Sequence, residues 1–218
     1  MISFVCVYKV GPKFSPAYVW NLKRAVEQHG NGEFRFVCLT DHPVLWQYDW
    51  TIPLERPDKQ GWWCLPEKFR IQGPVMFTGL DTIILKSLSP FAEIARKCHE
   101  NTVYMIHAFR FPNTFNRIFA NGIMIWNTDL SWFYREYDYE LATRYPLEQD
   151  YTSATLVQRG YDLKALQSHV DGVHSFKRTL LQKEPLPDTR IVLFHGKPAV
   201  HQIKNEWIRK EWNPNCAG

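Results

Sequence analysis

The stretch MFTGLDTIIL, residues 76–85, is an apolar run interrupted by one glycine and one acid. Val75 to Phe77 reads as a short buried strand, with Gly79-Leu80-Asp81 at its carboxyl end. Thr82 to Lys86 continues extended. In α/β sheets, ligands gather beyond the carboxyl ends of the strands. A carboxylate delivered there suits a hard divalent cation such as Mg²⁺ or Mn²⁺. Such an ion can bridge a diphosphate and stabilise it as a leaving group. On local sequence alone, Asp81 reads first as the cap of a turn.

The flanking sequence supplies the sheet. Ile2 to Val10 is rich in β-branched and aromatic residues, the pattern of a buried strand. Ser15-Pro16 reads as a helix N-cap followed by proline at the first helical position, and Gly30 as the stop. Phe34 to Thr40 (FRFVCLT) is a second strand. Strand, helix and strand at short spacing predict a parallel unit in an α/β domain. Val44 to Gly61 reads as irregular, and Trp62 to Gln72 as a helix carrying Lys68 and Arg70. Further helices are predicted over 90–97, 130–145 and 151–159, and further strands over 103–108, 122–127 and 190–194. No Pro/Gly/Ser linker divides the chain, so residues 1–218 read as a single domain.

Composition narrows the function. The chain has 218 residues, 45% hydrophobic and 22% charged, ordinary values for a globular protein. Trp (9), Tyr (10) and Phe (14) are plentiful; such rings fill cores and also line sugar and nucleobase sites. The net charge of +4 comes without a long Lys/Arg run, so no nucleic-acid footprint is expected. The five cysteines form no CxxC pair, which argues against a zinc cage or a disulfide framework. The first strand lacks the flanks of a signal peptide, and no apolar stretch approaches the ~20 residues that span a bilayer. A cytoplasmic location without a transmembrane segment is the expectation.

Four other segments carry candidate chemistry. Phe194-His195-Gly196-Lys197-Pro198 follows an apolar strand. His195 there can ligate a metal, Gly196 permits close backbone approach, and Lys197 offers a point charge for phosphate. His201 is a further ligand candidate. Asn121-Gly122 precedes the strand IMIWN, and the Asn121 amide can donate to and accept from a hydroxyl. Glu148-Gln149-Asp150 precedes a helix and can hold sugar hydroxyls or stabilise developing positive charge; Asp150 reads equally as an N-cap. Lys177 lies in the basic run Lys177-Arg178 and can meet a phosphate. Each segment alone also has a plain structural reading.

Taken in order, these segments resemble the nucleotide-sugar glycosyltransferases of the GT-A fold, and family eight in particular, the glycogenin-like and galactosyltransferase-like enzymes. The strand VCVYKV, containing Tyr8, resembles the strand that begins the uridine pocket. Gly79-Leu80-Asp81 resembles the Asp-x-Asp motif. Asn121-Gly122-Ile123-Met124 resembles the family's Asn-x-Gly segment, and Glu148-Gln149-Asp150 its Asp-Gln-Asp segment. His195-Gly196-Lys197-Pro198 resembles a compressed form of its His…Gly…Lys-Pro segment. The resemblance implies that Asp81 and His195 bind a divalent metal (Mn²⁺ or Mg²⁺). It also implies that Tyr8, Lys68, Asn121, Gly122, Lys177, Gly196 and Lys197 bind the donor, and that Gln149 and Asp150 act at the reacting sugar. Two positions depart from the pattern: Gly79 replaces the first acid of Asp-x-Asp, and Glu148 the first Asp of Asp-Gln-Asp.

The expectation is a GT-A-like α/β fold with a mostly parallel central sheet. The expected activity is metal-assisted, retaining transfer of a hexose from a UDP-sugar to a hydroxyl on a glycan, lipid-linked glycan or protein. The alternative is a nucleotide-sugar-binding protein of the same fold without turnover, which Gly79 invites.

Overall fold

A computed structural model of the chain describes residues 1–109 and 119–216. β1 (Ile2–Tyr8) is buried at every position, as its unbroken apolar run requires. α1 (Pro16–His29) starts after Ser15 with proline in its first turn and stops at Gly30. β2 (Phe34–Thr40) then lies parallel to β1, pairing Ile2 with Phe34 through to Tyr8 with Thr40. β3 (Thr51–Pro53) adds a short parallel edge to β2, inside the stretch expected to be irregular.

Residues 61–70 form a 3₁₀ stretch instead of the expected α-helix. Pro66 lies within it, and a proline there removes a backbone donor and blocks regular α-helical bonding. β4 (Pro74–Thr78) pairs parallel with β1, and β5 (Thr82–Ile84) follows it after the Gly79–Asp81 turn. After α2 (Ser89–Lys97) come β6 (Thr102–His107) and β7 (Phe119–Asn127).

The helix expected over 130–145 is two short ones, α3 (Ser131–Arg135) and α4 (Tyr139–Ala142). The break falls in an aromatic-rich stretch of low helix propensity. Asp138 restarts the helix by accepting the Leu141 amide at 2.9 Å. α5 (Glu148–Gln158), β8 (Asp162–Ala165), β9 (Val173–Ser175), β10 (Ile191–Leu193) and α6 (Glu206–Glu211) complete the elements.

The seven-stranded sheet runs β3-β2-β1-β4-β7-β6-β8. Four neighbouring pairs are parallel and two antiparallel, both of the latter involving β7. The central sheet is therefore mostly parallel, as expected. A second sheet, β5-β10-β9, carries the strand that leaves Asp81. Side chains alternate across the main sheet: Phe4, Cys6 and Tyr8 enter one core with residues of α1 and α2. Val5 and Val7 enter the other with Phe69, Trp126 and Phe133. Helical layers on both faces leave the carboxyl ends of β1 and β4 open for a site.

Candidate functional site

The parallel register of β1 and β4, Val5 beside Phe77, sets the loop 9–14 next to the turn 79–81. Together they open onto a cavity of about 560 Å³. Asp81, His195, Asn121, Gly122, Gln149, Lys13 and Arg178 all line it. Two backbone bonds hold the framework: the Gly79 amide donates to the Gly122 carbonyl at 3.0 Å, and the Phe194 amide to the Asp81 carbonyl at 2.8 Å. Antiparallel β5 and β10, with Thr82 opposite Leu193, bring His195 to the Asp81 end of the ladder.

Asp81 keeps its carboxylate largely shielded, and Lys13 Nζ lies 3.4 Å from its Oδ2. A Cβ on Gly79 would meet Asp81 Oδ1 at 2.9 Å, so the carboxylate lies over the space that a side chain at position 79 would begin to fill. His195 Nε2 bonds to the buried Ser175 hydroxyl at 2.7 Å, and its ring lies parallel to that of Phe109. The Ser175 contact fixes the orientation of the His195 ring, as second partners do for metal-binding histidines. Among the described residues no group of three or more His, Cys, Asp or Glu gathers to cage a metal. One carboxylate and one imidazole nevertheless fit an ion that completes its shell with substrate phosphates, the usual manner of Mg²⁺.

Beside the cavity lies a buried polar network. Asn121, inside β7 and not ahead of it, donates to Glu148 Oε2. Thr152 Oγ1 donates to Glu148 Oε1 at 2.6 Å. Lys68, 0% exposed, places Nζ 3.6 Å from the same Oε1. Burial lowers the Lys68 pKa, and the Glu148 charge acts against that shift. The Phe69 and Phe77 rings face the ammonium at 4.7 and 4.9 Å. Glu148 thus fixes the Asn121 side chain and the first turn of α5, which presents Gln149 to the cavity.

The remaining candidates lie around this centre. Tyr8 is buried on the α1 face, stacked on His42, and burial pushes its hydroxyl up to about 12. Asp150 lies in the first turn of α5 beside Gln149, so Glu148-Gln149-Asp150 opens the helix instead of preceding it. Lys177 Nζ would touch a Cβ on Gly196 at 3.4 Å, and Gly196 adopts φ +74°. Burial, then the neighbouring Arg178, lowers the Lys177 pKa. Lys197 is exposed and precedes a cis-proline. His201 bonds the Tyr18 hydroxyl at 2.7 Å through Nδ1.

Three of the solved structures that match above a TM-score of 0.5 illustrate the likeness. The glycosyltransferase GlyE of Streptococcus pneumoniae TIGR4 superposes at TM-score 0.60 with 14% identity over 97% of this chain and 59% of its own. The galactosyltransferase LgtC, solved with donor and acceptor sugar analogs, gives 0.63 with 10% identity over 98% of this chain and 90% of its own. A glycosyltransferase involved in glycosylating the major capsid of PBCV-1 gives 0.56 with 12% identity over 89% and 94%.

This chain has a GT-A-like fold.

At these identities the GT-A-like likeness is one of fold, and the chain spans 59% of the GlyE structure's length. No protein-family model and no curated protein matches the sequence.

Within the GT-A-like frame, sequence reasoning missed Lys13, Trp62, Phe109 and Arg178, all of which line the cavity. Lys13 had a legible signal: it follows Gly11-Pro12 at the carboxyl end of the first strand, the same sheet edge as Asp81. Trp62 and Phe109 had none, because aromatic residues serve cores and sites alike.

Proposed function

We propose that the chain acts as a single domain that transfers a hexosyl group from a nucleotide-sugar, UDP-linked, to a hydroxyl acceptor. The observation that carries this reading is the convergence of Asp81 and His195 in one cavity that also takes in Asn121 and Gln149. The GT-A-like fold shared with the glycosyltransferases GlyE and LgtC supports it.

Asp81 and His195 are the residues that would hold Mn²⁺ or Mg²⁺. Such an ion, when bound, neutralises charge on the departing diphosphate. Lys177 and Lys197 add cations beside it, and Gly196 lets the backbone approach closely. Asn121 and Gly122 meet donor hydroxyls, Asn121 being held by Glu148. Tyr8 and Lys68 are buried, and each supports the donor pocket from behind. Gln149 orients the sugar, with Asp150 next to it. In a retaining transfer the bond from the anomeric carbon to the diphosphate oxygen breaks as the acceptor oxygen bonds on the same face. The acceptor proton passes to the leaving phosphate, so no side-chain base is required. The acceptor class is a glycan, a lipid-linked glycan or a protein.

The test is incubation with a panel of nucleotide-sugars, Mn²⁺ or Mg²⁺ and no acceptor, following nucleoside diphosphate release. Slow release of UDP from one UDP-hexose is expected. Tight binding of UDP-sugars with no release, in the presence of every acceptor class, would replace this reading with that of a non-catalytic binding protein.

A further inference from the structure

We infer that Trp62 is the stacking platform on which the acceptor lies, and that the acceptor ends in a pyranose, the terminal sugar of a free or lipid-linked glycan. The inference rests on the sugar-transfer reading above and narrows its acceptor.

Two adjacent tryptophans meet opposite fates. Trp63 packs against the second core, which holds Cys64 and Phe69. Trp62 is 55% exposed and lines the cavity. The backbone around it is held: the Trp63 amide donates to the Gln60 carbonyl at 3.2 Å, and the Cys64 thiol to the Gly61 carbonyl at 2.9 Å. Lys68 and Phe69, both fully buried, anchor the far end of the same stretch. An indole half in water forfeits much of the burial that a tryptophan offers a core. Trp46 is also half-exposed, but its Nε1 donates to the Thr40 carbonyl at 3.1 Å, and it lies outside the cavity lining. Among the described residues Trp62 has no such bond and no ring partner, so its face and its N–H are both left for a ligand.

Placement and chemistry name the occupant. The stretch 61–70 and α5 both pack on the second core, through Cys64 and Phe69 and through Tyr151 and Leu156. The Lys68–Glu148 pair joins them at 3.6 Å. Trp62 and Gln149 therefore reach the cavity from one face of the main sheet. β5 and β10, which place Asp81 and His195, pack Ile83 and Leu193 into the first core on the other face. A donor with its diphosphate at Asp81 and its sugar at Gln149 spans the two. An acceptor that reaches this sugar from the Gln149 face meets Gln60, Trp62, Leu65 and Leu147, none of them charged. Among the described residues the side-chain amides of Gln60 and Gln149 have no hydrogen-bond partner. A pyranose supplies both complements. Its axial C–H groups present an apolar face to the indole, and its equatorial hydroxyls donate to and accept from amides around the ring. A serine or threonine of a protein offers a hydroxyl without such a face.

The test is ¹⁵N NMR of the full chain with UDP and Mg²⁺ present, following the Trp62 indole N–H, identified among the nine tryptophans as the signal lost in Trp62→Phe. The probes are methyl glycosides of the common hexoses, an acyclic hexitol and a peptide containing serine and threonine. At least one methyl glycoside should shift the Trp62 signal saturably, and neither the hexitol nor the peptide should. In the variants, binding is read on the Gln60 and Gln149 side-chain amides. Trp62→Ala should weaken that glycoside about tenfold, and Trp62→Phe, which keeps a ring, by less than about threefold. Because Trp62 is exposed, both variants fold. Octyl and methyl glycosides of equal affinity identify a free glycan, and a tighter octyl glycoside a lipid-linked one. Equal glycoside affinity in wild type and Trp62→Ala, a response to the peptide in place of glycosides, or no response to any glycoside would overturn the platform. UDP release from a UDP-hexose alongside any of those results keeps the transfer reading and removes only the platform. Glycoside binding that depends on Trp62, with no release from any nucleotide-sugar, keeps the platform and removes the transfer reading.

Discussion

The Asp81 carbonyl accepts the Phe194 amide at 2.8 Å, tying the start of β5 to the end of β10 across 113 positions of sequence. That bond ends an antiparallel ladder in which Ile84 faces Ile191 and Thr82 faces Leu193. Asp81 and His195 are therefore brought to one edge by backbone geometry, before any ligand is present. Replacing either side chain should leave the ladder intact. Asp81→Ala should lower Mn²⁺-dependent UDP affinity by at least about tenfold, since even residues that only orient a ligand are worth that much. His195→Ala should lower it less, because a neutral donor is lost instead of a charge. Circular dichroism should show both variants folded. Unchanged metal-dependent affinity in folded Asp81→Ala would remove Asp81 from the metal site.

Gly79 gives the converse prediction. A Cβ there meets only the end of the Asp81 side chain, at 2.9 Å, with the Gly122 carbonyl 4.0 Å away. Its backbone is not in the left-handed region that requires glycine. Gly79→Asp should therefore fold, with the Asp81 carboxylate turning aside. Two adjacent carboxylates would then offer a divalent ion a stronger site. Mn²⁺ titration of the nucleotide-free protein should show tighter binding than wild type. Weaker binding in a folded variant would mean that Asp81 had been displaced from its working position.

The parts legible in sequence were those whose signals are local. β1, β2 and α1 announce themselves through apolar runs, a proline in the first helical turn and a glycine stop, and the structure places them within two residues of expectation. That Asp81 and His195 lie at strand ends was legible, because each falls within three residues of an apolar strand. Lys68 was not placed, because its buried state depends on Glu148, eighty residues away, and on rings that sequence spacing does not gather. The short strands β3, β8 and β9 draw their order from neighbours in the sheets, so their three or four residues carry little pattern of their own. Lys13 was overlooked because a lysine in a loop looks solvated until the opposite edge of the site is known.

The Lys68–Glu148 pair makes a stability prediction. Both side chains are withdrawn from water, at 0% and 2% exposure. Removing one partner leaves a buried charge uncompensated, which costs about 3–5 kcal/mol. Lys68→Met should therefore destabilise the chain by about that amount in urea unfolding. Lys68→Met combined with Glu148→Gln should recover part of the loss, because the amide can still bond Asn121 and Thr152. Equal destabilisation in the single and double variants would show that the pair interacts weakly and that Lys68 matters through its packing on Phe69 and Phe77.

Acid sensitivity can be traced to Glu33, at the foot of β2. Its carboxylate accepts the Ser89 hydroxyl at 2.6 Å and pairs with Arg96 at 2.5 Å, tying the strand to α2. The Ser89 hydrogen bond, followed by that of Arg96, lowers the Glu33 pKa below its ordinary value. The unfolded chain then binds the proton more readily than the native one. The resulting stabilisation is complete above the unfolded value, about 4.3, and disappears as pH falls through the lower native value. Glu33→Gln should thus lose stability at neutral pH and show a shallower decline of stability between about pH 5 and pH 3. Glu33 is close to the surface and its partner Arg96 is half-exposed, so the neutral-pH loss should be small and should shrink further with added salt. Thermal unfolding of the wild type and Glu33→Gln across that range, at two ionic strengths, measures both effects. Parallel pH profiles for the two proteins would assign the acid sensitivity to other carboxylates.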